Sequence, residues 1–246
     1  HIRLQDKIIL GNWKDPKFLE GQVFDVVVAD YLLGSVEGYA PYYQDRLFER
    51  LKPHVGGYLF IVGAEPLPDK SDDPHGQLII DIGKARDACS LLVGDRPYRE
   101  YPLDWVIRNL NKGGYKILNV SNFETTHNRD FVETQINVAE SKLPRIQNIA
   151  VRNSMQEYLS ELRKKVKKMK WPHRFMNDYV VSVVPIRSQE KAAESSKESE
   201  NENSNGIRQR KTAQKYGVED SNENFLKDYV SPISQQDIIS PRDEYE

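Results

Sequence analysis

The sequence predicts an α/β layered domain followed by a polar tail, and three observations carry that prediction. Short β-branched runs alternate with stretches of helical periodicity. Their connections are short and rich in Gly and Pro, as in a sheet with crossover helices. The third observation is a change of composition at residue 186. Residues 187–246 hold 9 Lys/Arg and 13 Asp/Glu but only 14 apolar residues among 60. That segment is expected to be a disordered, acidic, low-complexity tail, because it has too little apolar surface to offset its chain entropy. Residues 1–186 carry 26 basic and 24 acidic side chains. A balance so near zero argues against nucleic acid or a membrane surface as the main partner.

The elements follow in order. Lys7-Ile8-Ile9-Leu10 reads as a short strand ending at Gly11-Asn12-Trp13. Phe24-Asp25-Val26-Val27-Val28-Ala29-Asp30 is a stronger one, nearly continuous in β-branched residues, as a parallel strand covered on both faces would be. Gly34 and Gly38 bracket a tyrosine-rich loop, and Pro41 is placed to open a helix to about Leu51. After Lys52-Pro53-His54-Val55-Gly56-Gly57 comes a buried strand over 58–63, completing a βαβ unit. Helices are expected over 77–93 and, capped by Asp104, over 105–111. Gly113-Gly114 stops the second, and a strand follows over 115–120. Residues 145–170 form a long amphipathic helix on Met155, Tyr158, Leu159, Leu162, Val166 and Met169. Ser154 and Glu157 have capping-box spacing within it, and a last strand runs over 179–184.

Several classes of function are excluded. A single cysteine, Cys89, permits no internal disulfide and no multi-cysteine metal site, and its apolar helical neighbours suit core packing. His54, His75, His127 and His173 are scattered without metal-ligand spacing, so no metal set is assigned and they read as surface or loop residues. No apolar run approaches the ~18 residues that span a bilayer, and the first residues have no secretory pattern. A cytoplasmic or nuclear protein is the expectation.

In a parallel sheet the chemistry gathers beyond the carboxyl ends of the strands. Those ends present Asn12 and Trp13, then Asp30 and Tyr31, then Glu65. Asn12 offers a donor and an acceptor to a heterocycle edge, and Trp13 a stacking face. Asp30 would accept from an ammonium, with Tyr31 as a wall. Tyr39 and Tyr42 form a rim for a planar or apolar substrate. In Asp95-Arg96-Pro97-Tyr98-Arg99-Glu100-Tyr101-Pro102, Arg96 and Arg99 can hold an anionic substrate group or simply pair with nearby acids.

The order of these features resembles the class I S-adenosylmethionine-dependent methyltransferases. The match runs through Ile8-Ile9-Leu10-Gly11-Asn12-Trp13, then Phe24-Asp25-Val26-Val27 to Asp30-Tyr31, then Leu51-Lys52-Pro53-His54-Val55-Gly56-Gly57. It covers roughly residues 7–63 by motif and extends to 186 by element order. The resemblance implies a Rossmann-like, mostly parallel sheet with helices on both faces, incomplete at its N-terminal side, as domain 1–186. It implies S-adenosylmethionine as cofactor, with Gly11, Asn12, Trp13 and Asp30 holding it. Asp30 and Tyr31 would be catalytic, and Tyr39, Tyr42, Arg96 and Arg99 would face a small-molecule or protein methyl acceptor. Ala29-Asp30-Tyr31-Leu32 departs from the Asn-Pro-Pro-Tyr-like signature of nucleobase- and glutamine-methylating members. No Gly-x-Gly-x-x-Gly occurs, and the chain opens on His1, so an N-terminally truncated piece of such an enzyme is expected. A second reading is a non-catalytic relative that binds protein or RNA through its tail or its basic helix, where residues 145–174 hold nine Lys/Arg and two acids. A nicotinamide-dependent oxidoreductase is a poorer fit, since it too needs the missing phosphate loop.

Overall fold

The computed structural model describes residues 7–187. The tail over 188–246 lies outside the described residues.

The chain order is β1 (Phe24–Asp30), α1 (Leu32–Tyr39), α2 (Gln44–Leu51), β2 (Val55–Ala64), α3 (Pro74–Leu92), α4 (Leu103–Lys112), β3 (Tyr115–His127), α5 (Arg129–Lys142), α6 (Ile149–Lys168) and β4 (His173–Pro185). The four strands form one sheet in the order β1-β2-β4-β3. β1 and β2 are parallel, while β4 pairs antiparallel with both β2 and β3. Three strands therefore run one way and the last, reversed, lies between two of them. The fold is the predicted α/β, Rossmann-like layer, mostly parallel by direction although two of its three ladders are antiparallel.

Alternation along the strands sorts the residues between two faces. Leu59 and Ile61 of β2 lie opposite Val183 and Val181 of β4, with Val27 and Ala29 of β1 beside them. This face packs on Leu33 and Val36 of α1, Leu47, Phe48 and Leu51 of α2, and Val106 and Leu110 of α4. On the other face Val26 and Val28 are 54% and 58% exposed, and Tyr58 is exposed as well. The expectation that β1 is covered on both faces is thus corrected: helices pack on one face of it, and the opposite face is open to solvent.

A second core is mainly helical, with Phe175 of β4 packed against it. α3, α5 and α6 meet through Leu78, Ile82, Cys89, Val132, Ile136, Leu159, Leu162 and Val166. Cys89 is fully buried there, as its apolar neighbours predicted. Register places this cluster. The β2–β4 ladder stops at Ala64 opposite Asp178, but the β3–β4 ladder continues to His127 opposite His173. Two strand arms thus project beyond the carboxyl end of β2, and α5 and α6 are the connection between their tips.

Other expectations are corrected locally. Residues 7–10 form no strand: Ile8 and Leu10 are exposed, with no neighbouring strand to satisfy the backbone. The glycine-bracketed loop is α1, because Leu33, Val36 and Ala40 bury at helical spacing and tertiary packing overrides glycine's poor propensity. Pro41 opens nothing; Tyr42 adopts a left-handed φ of 64° and the next helix waits until Gln44. α3 starts at Pro74, capped by Asp73, whose carboxylate accepts from His75 N (3.3 Å) and Gly76 N (2.8 Å). Asp104 does not cap α4; it pairs with Arg108, while Glu65 Oε1 accepts from Leu103 N at 3.1 Å. Asn148, and not the Ser154–Glu157 pair, caps α6.

Candidate functional site

β1 delivers Asp30 and Tyr31 to the carboxyl end of the sheet, where the chain turns sharply into α1. Tyr31 N donates to Val62 O at 3.1 Å, and the residue sits in the left-handed region at φ 44°. A β-carbon in that region costs energy, and such positions cluster at functional sites. The Tyr31 phenol lies within electrostatic reach of the Asp178 carboxylate. Burial and the negative charges of Asp178, Asp30 and Glu100 push the phenol well above its usual range. Burial likewise raises the Asp30 carboxyl.

Glu100 completes the group. It lies against the backbone of α1, where a β-carbon at Gly34 would stand 2.5 Å from its Oε1, so a larger residue there would displace the carboxylate. Burial pushes the Glu100 carboxyl up to about 7, opposed by Arg86 and reinforced by Asp178. Three carboxylates, Asp30 exposed and Glu100 and Asp178 half-buried, surround one half-buried phenol and make a negative patch suited to a cationic group or to a proton held near neutral pH. The sequence singled out Asp30 and Tyr31 but missed Asp178 and the role of Glu100. Asp178 stands opposite the last residue of β2 only because β4 is reversed.

A cleft of about 160 Å³ opens along a different side of α1, lined by Gly11, Asn12, Trp13, Leu32, Ser35, Val36, Tyr39 and Ala40. The helical lining residues recur at i, i+3, i+4 and i+7, a single face. Asn12 Nδ2 donates to Tyr39 O (3.0 Å) and Asn12 Oδ1 accepts from Lys14 N (2.9 Å), tying the 11–14 loop to α1. Trp13 meets the edge of Phe18 at 5.2 Å, and the Arg50 guanidinium lies over its ring at 5.7 Å. A β-carbon at Gly11 would collide with the Phe18 ring, so glycine is what lets this loop close.

The remaining predicted residues divide. Arg96 neutralises Glu37 (2.7 Å) and sits 5.0 Å from the centre of the Tyr42 ring. Glu37 is buried and also accepts from Gln44 Nε2 at 3.0 Å; these bonds hold its carboxyl below the usual range against the opposing effect of burial. Arg96 is therefore already engaged. Arg99 is exposed, and its N–H donates to Gly34 O at 3.2 Å. Gly34, Glu37 and Gly38 form the face of α1 that meets residues 96–100, turned away from the cleft. The cleft that Asn12 and Trp13 line thus includes neither Arg96 nor Arg99. Tyr39 lines the cleft and lies within electrostatic reach of Tyr98 on the other side of α1.

The histidines also differ from expectation. His54 and His127 are buried, with His54 Nδ1 2.8 Å from Gln22 O and His127 Nε2 2.8 Å from Phe175 O. His75 and His173 stack at 4.4 Å.

S-adenosylmethionine fits these residues in part. The cleft offers apolar walls and room for a ring-sized group, and no glycine-rich loop lines it for the rest of such a cofactor. No helix among the described residues is long and apolar enough to cross a membrane.

No family profile and no curated protein matches the sequence. Among solved structures the chain is similar to BH2331 of Bacillus halodurans C-125, assigned there as a methyltransferase, with 9% identity and a TM-score of 0.39 over 68% of this chain and 66% of that one. YcgJ of Bacillus subtilis gives 9% and 0.38 over the same shares. The mycolic acid cyclopropane synthase CmaA1, complexed with SAH and CTAB, gives 12% and 0.35 over 70% of this chain and 57% of that one. The chain thus spans less than two thirds of the length of these structures.

Proposed function

We propose that this chain carries part of an S-adenosylmethionine-dependent methyltransferase that acts on a small molecule or a protein side chain. The observation that carries the reading is the placement of Gly11, Asn12 and Trp13, the residues of the first motif, around a cleft against α1, the helix that leaves the carboxyl end of β1. The cofactor would supply an electrophilic methyl group. The cleft residues would hold its ring, with Leu32, Val36 and Ala40 as apolar walls and Tyr39 as the rim. Around the corner of α1, Asp30, Glu100 and Asp178 favour a cation. Glu100, with a pKa near 7, can take a proton from an acceptor as it is methylated. Tyr31, beside Asp178, would stand as a wall of that acidic group.

Calorimetric titration of the full chain with S-adenosylhomocysteine tests this. Saturable binding is expected, weakened at least ~10-fold by Ser35→Phe, since one lost subsite of a few kcal/mol is worth more than a decade. Asp30→Ala should then lower methyl transfer. A folded chain that binds none of the nucleoside, or binds it equally well with Ser35→Phe, overturns the proposal. That outcome would favour the binding-module reading, in which the exposed Lys164, Lys165, Lys167 and Lys168 of α6 meet the partner.

A further inference from the structure

The capped N-terminus of α3 and the first residue of β4 bring three metal-binding side chains together from positions about 100 residues apart in sequence. Asp73, His75 and His173 each offer one ligand atom, and those atoms all lie within 4.8 Å of one another. All three side chains are half-buried, leaving an opening to solvent. His173 Nε2 stands 2.6 Å from Asp73 Oδ2, and His75 Nδ1 stands 3.9 Å from Asp73 Oδ1.

The tautomer of His75 gives this arrangement its meaning. His75 Nε2 is 3.0 Å from Lys170 O, and a carbonyl only accepts, so Nε2 carries the hydrogen. On a neutral ring Nδ1 then keeps its lone pair, 3.9 Å from a carboxylate oxygen. That approach is favourable with a cation between the two, either a metal ion or the second proton of an imidazolium. A backbone carbonyl that fixes the far nitrogen of an imidazole is also the usual support behind a metal-binding histidine. Packing holds the rings further: His75 and His173 are stacked at 4.4 Å, and Trp171 meets His75 edge-on at 5.5 Å.

We propose that Asp73, His75 and His173 form a binding site for a divalent first-row transition metal ion, with Zn²⁺ as the type case. Two imidazole nitrogens and one carboxylate are a donor set such ions favour, and it leaves a coordination position for water. Ligand bonds of 2.0–2.2 Å place tetrahedral donors roughly 3.3 Å apart. The observed 2.6 and 3.9 Å bracket that separation, and because an imidazole lone pair lies in the ring plane, binding would rotate the two rings out of their stack until both point at the ion. His173 must carry its proton on Nδ1 for Nε2 to bind, the metal replacing the hydrogen that now links Nε2 to Asp73. Asp73 keeps its helix-capping bonds to His75 N and Gly76 N, since a carboxylate has lone pairs for both tasks. The bound ion would fasten the first turn of α3 to the arm of β4, and so join the helical cluster to the sheet. The site does not depend on the methyltransferase reading.

The test is calorimetric titration of the metal-stripped full chain with Zn²⁺, and with Co²⁺ for its visible spectrum. One equivalent should bind, with the absorption of low-symmetry nitrogen and oxygen coordination and a raised unfolding midpoint that a chelator reverses. His75→Ala and His173→Ala should each weaken Zn²⁺ binding by at least ~100-fold, more than the loss of a supporting residue costs. His1→Ala and Cys89→Ala should leave the Zn²⁺ affinity unchanged. If a histidine variant fails to fold, Asp73→Asn preserves the cap acceptor and should still lose most of the affinity. Absence of saturable binding, or binding that survives Asp73→Asn and either histidine variant, overturns the proposal.

Discussion

The two faces of the β1–β2 pair are built from the same kinds of residue and meet opposite fates. Leu59 and Ile61 are essentially fully buried under α1, α2 and α4, while their neighbours Val26, Val28 and Tyr58 look into solvent. Nothing in the local sequence separates them, since β-branched and aromatic residues stand on both sides. A strand's composition therefore reports that it suits a pleated, apolar surface, and not which of its faces is covered. Cover is a property of the helices, and these must be found elsewhere in the chain.

The largest effect that tests this contrast comes from the covered face. Ile61→Ala removes a fully buried side chain from the middle of the sheet-backed core, where neighbours from three helices cannot all close in. A loss of ~2–5 kcal/mol is expected, read as a lower urea midpoint at unchanged slope. A loss below ~1 kcal/mol would mean that the face is no better packed than its exposed counterpart.

The same contrast explains how much was legible. β1 was read to the residue, because a seven-residue β-branched run bounded by turn signals has no competing interpretation. α1 was not, since its two glycines look like loop punctuation. Only the structure shows Glu100 and Tyr98 pressed against Gly34 and Gly38, the close approaches that glycine permits. α5 was absent from the sequence reading: Val132, Ile136 and Ala139 are a sparse stripe, meaningful only once α3 and α6 lie against it. The candidate site divides likewise. Asp30 and Tyr31 stand at a strand end that the sequence marks, whereas the same rule picked Gly11, Asn12 and Trp13 from a strand that does not form. Asp178 and the Asp73–His75–His173 cluster depend on a strand that returns in reverse, a long-range event with no local signal.

A smaller effect, dependent on pH, sits at the edge of the covered region. The Glu100 carboxyl has a folded pKa of about 7 against an ordinary value of 4.5. Below pH 4.5 both states hold the proton, and its burial costs nothing further. As pH rises from 4.5 to 7 the unfolded chain ionises and the folded one does not, so stability falls across that window and stays lower above it. Glu100→Gln removes the ionisation. The variant should match the wild type near pH 4 and exceed it at pH 8, by at most ~3 kcal/mol at ~1.4 kcal/mol per unit. Chemical unfolding at the two pH values decides the matter. Equal stability at pH 8 would place Glu100 in a solvated position and remove it as a proton carrier for the site.

The smallest effect is expected on the open face, and it is the sharpest test of the comparison. Val28→Thr keeps the β-branch and the shape while adding a hydroxyl that solvent can satisfy. With Val28 more than half exposed, the change should stay within ~0.5 kcal/mol, as for ordinary surface positions. The same substitution at Val181, on the covered face and fully buried, should cost ~1–3 kcal/mol for the desolvated hydroxyl. Similar costs at both positions would break the contrast. A cost at Val28 that grows with protein concentration would show that a second copy covers this face in solution, whereas a concentration-independent cost would mean that the chain covers it itself.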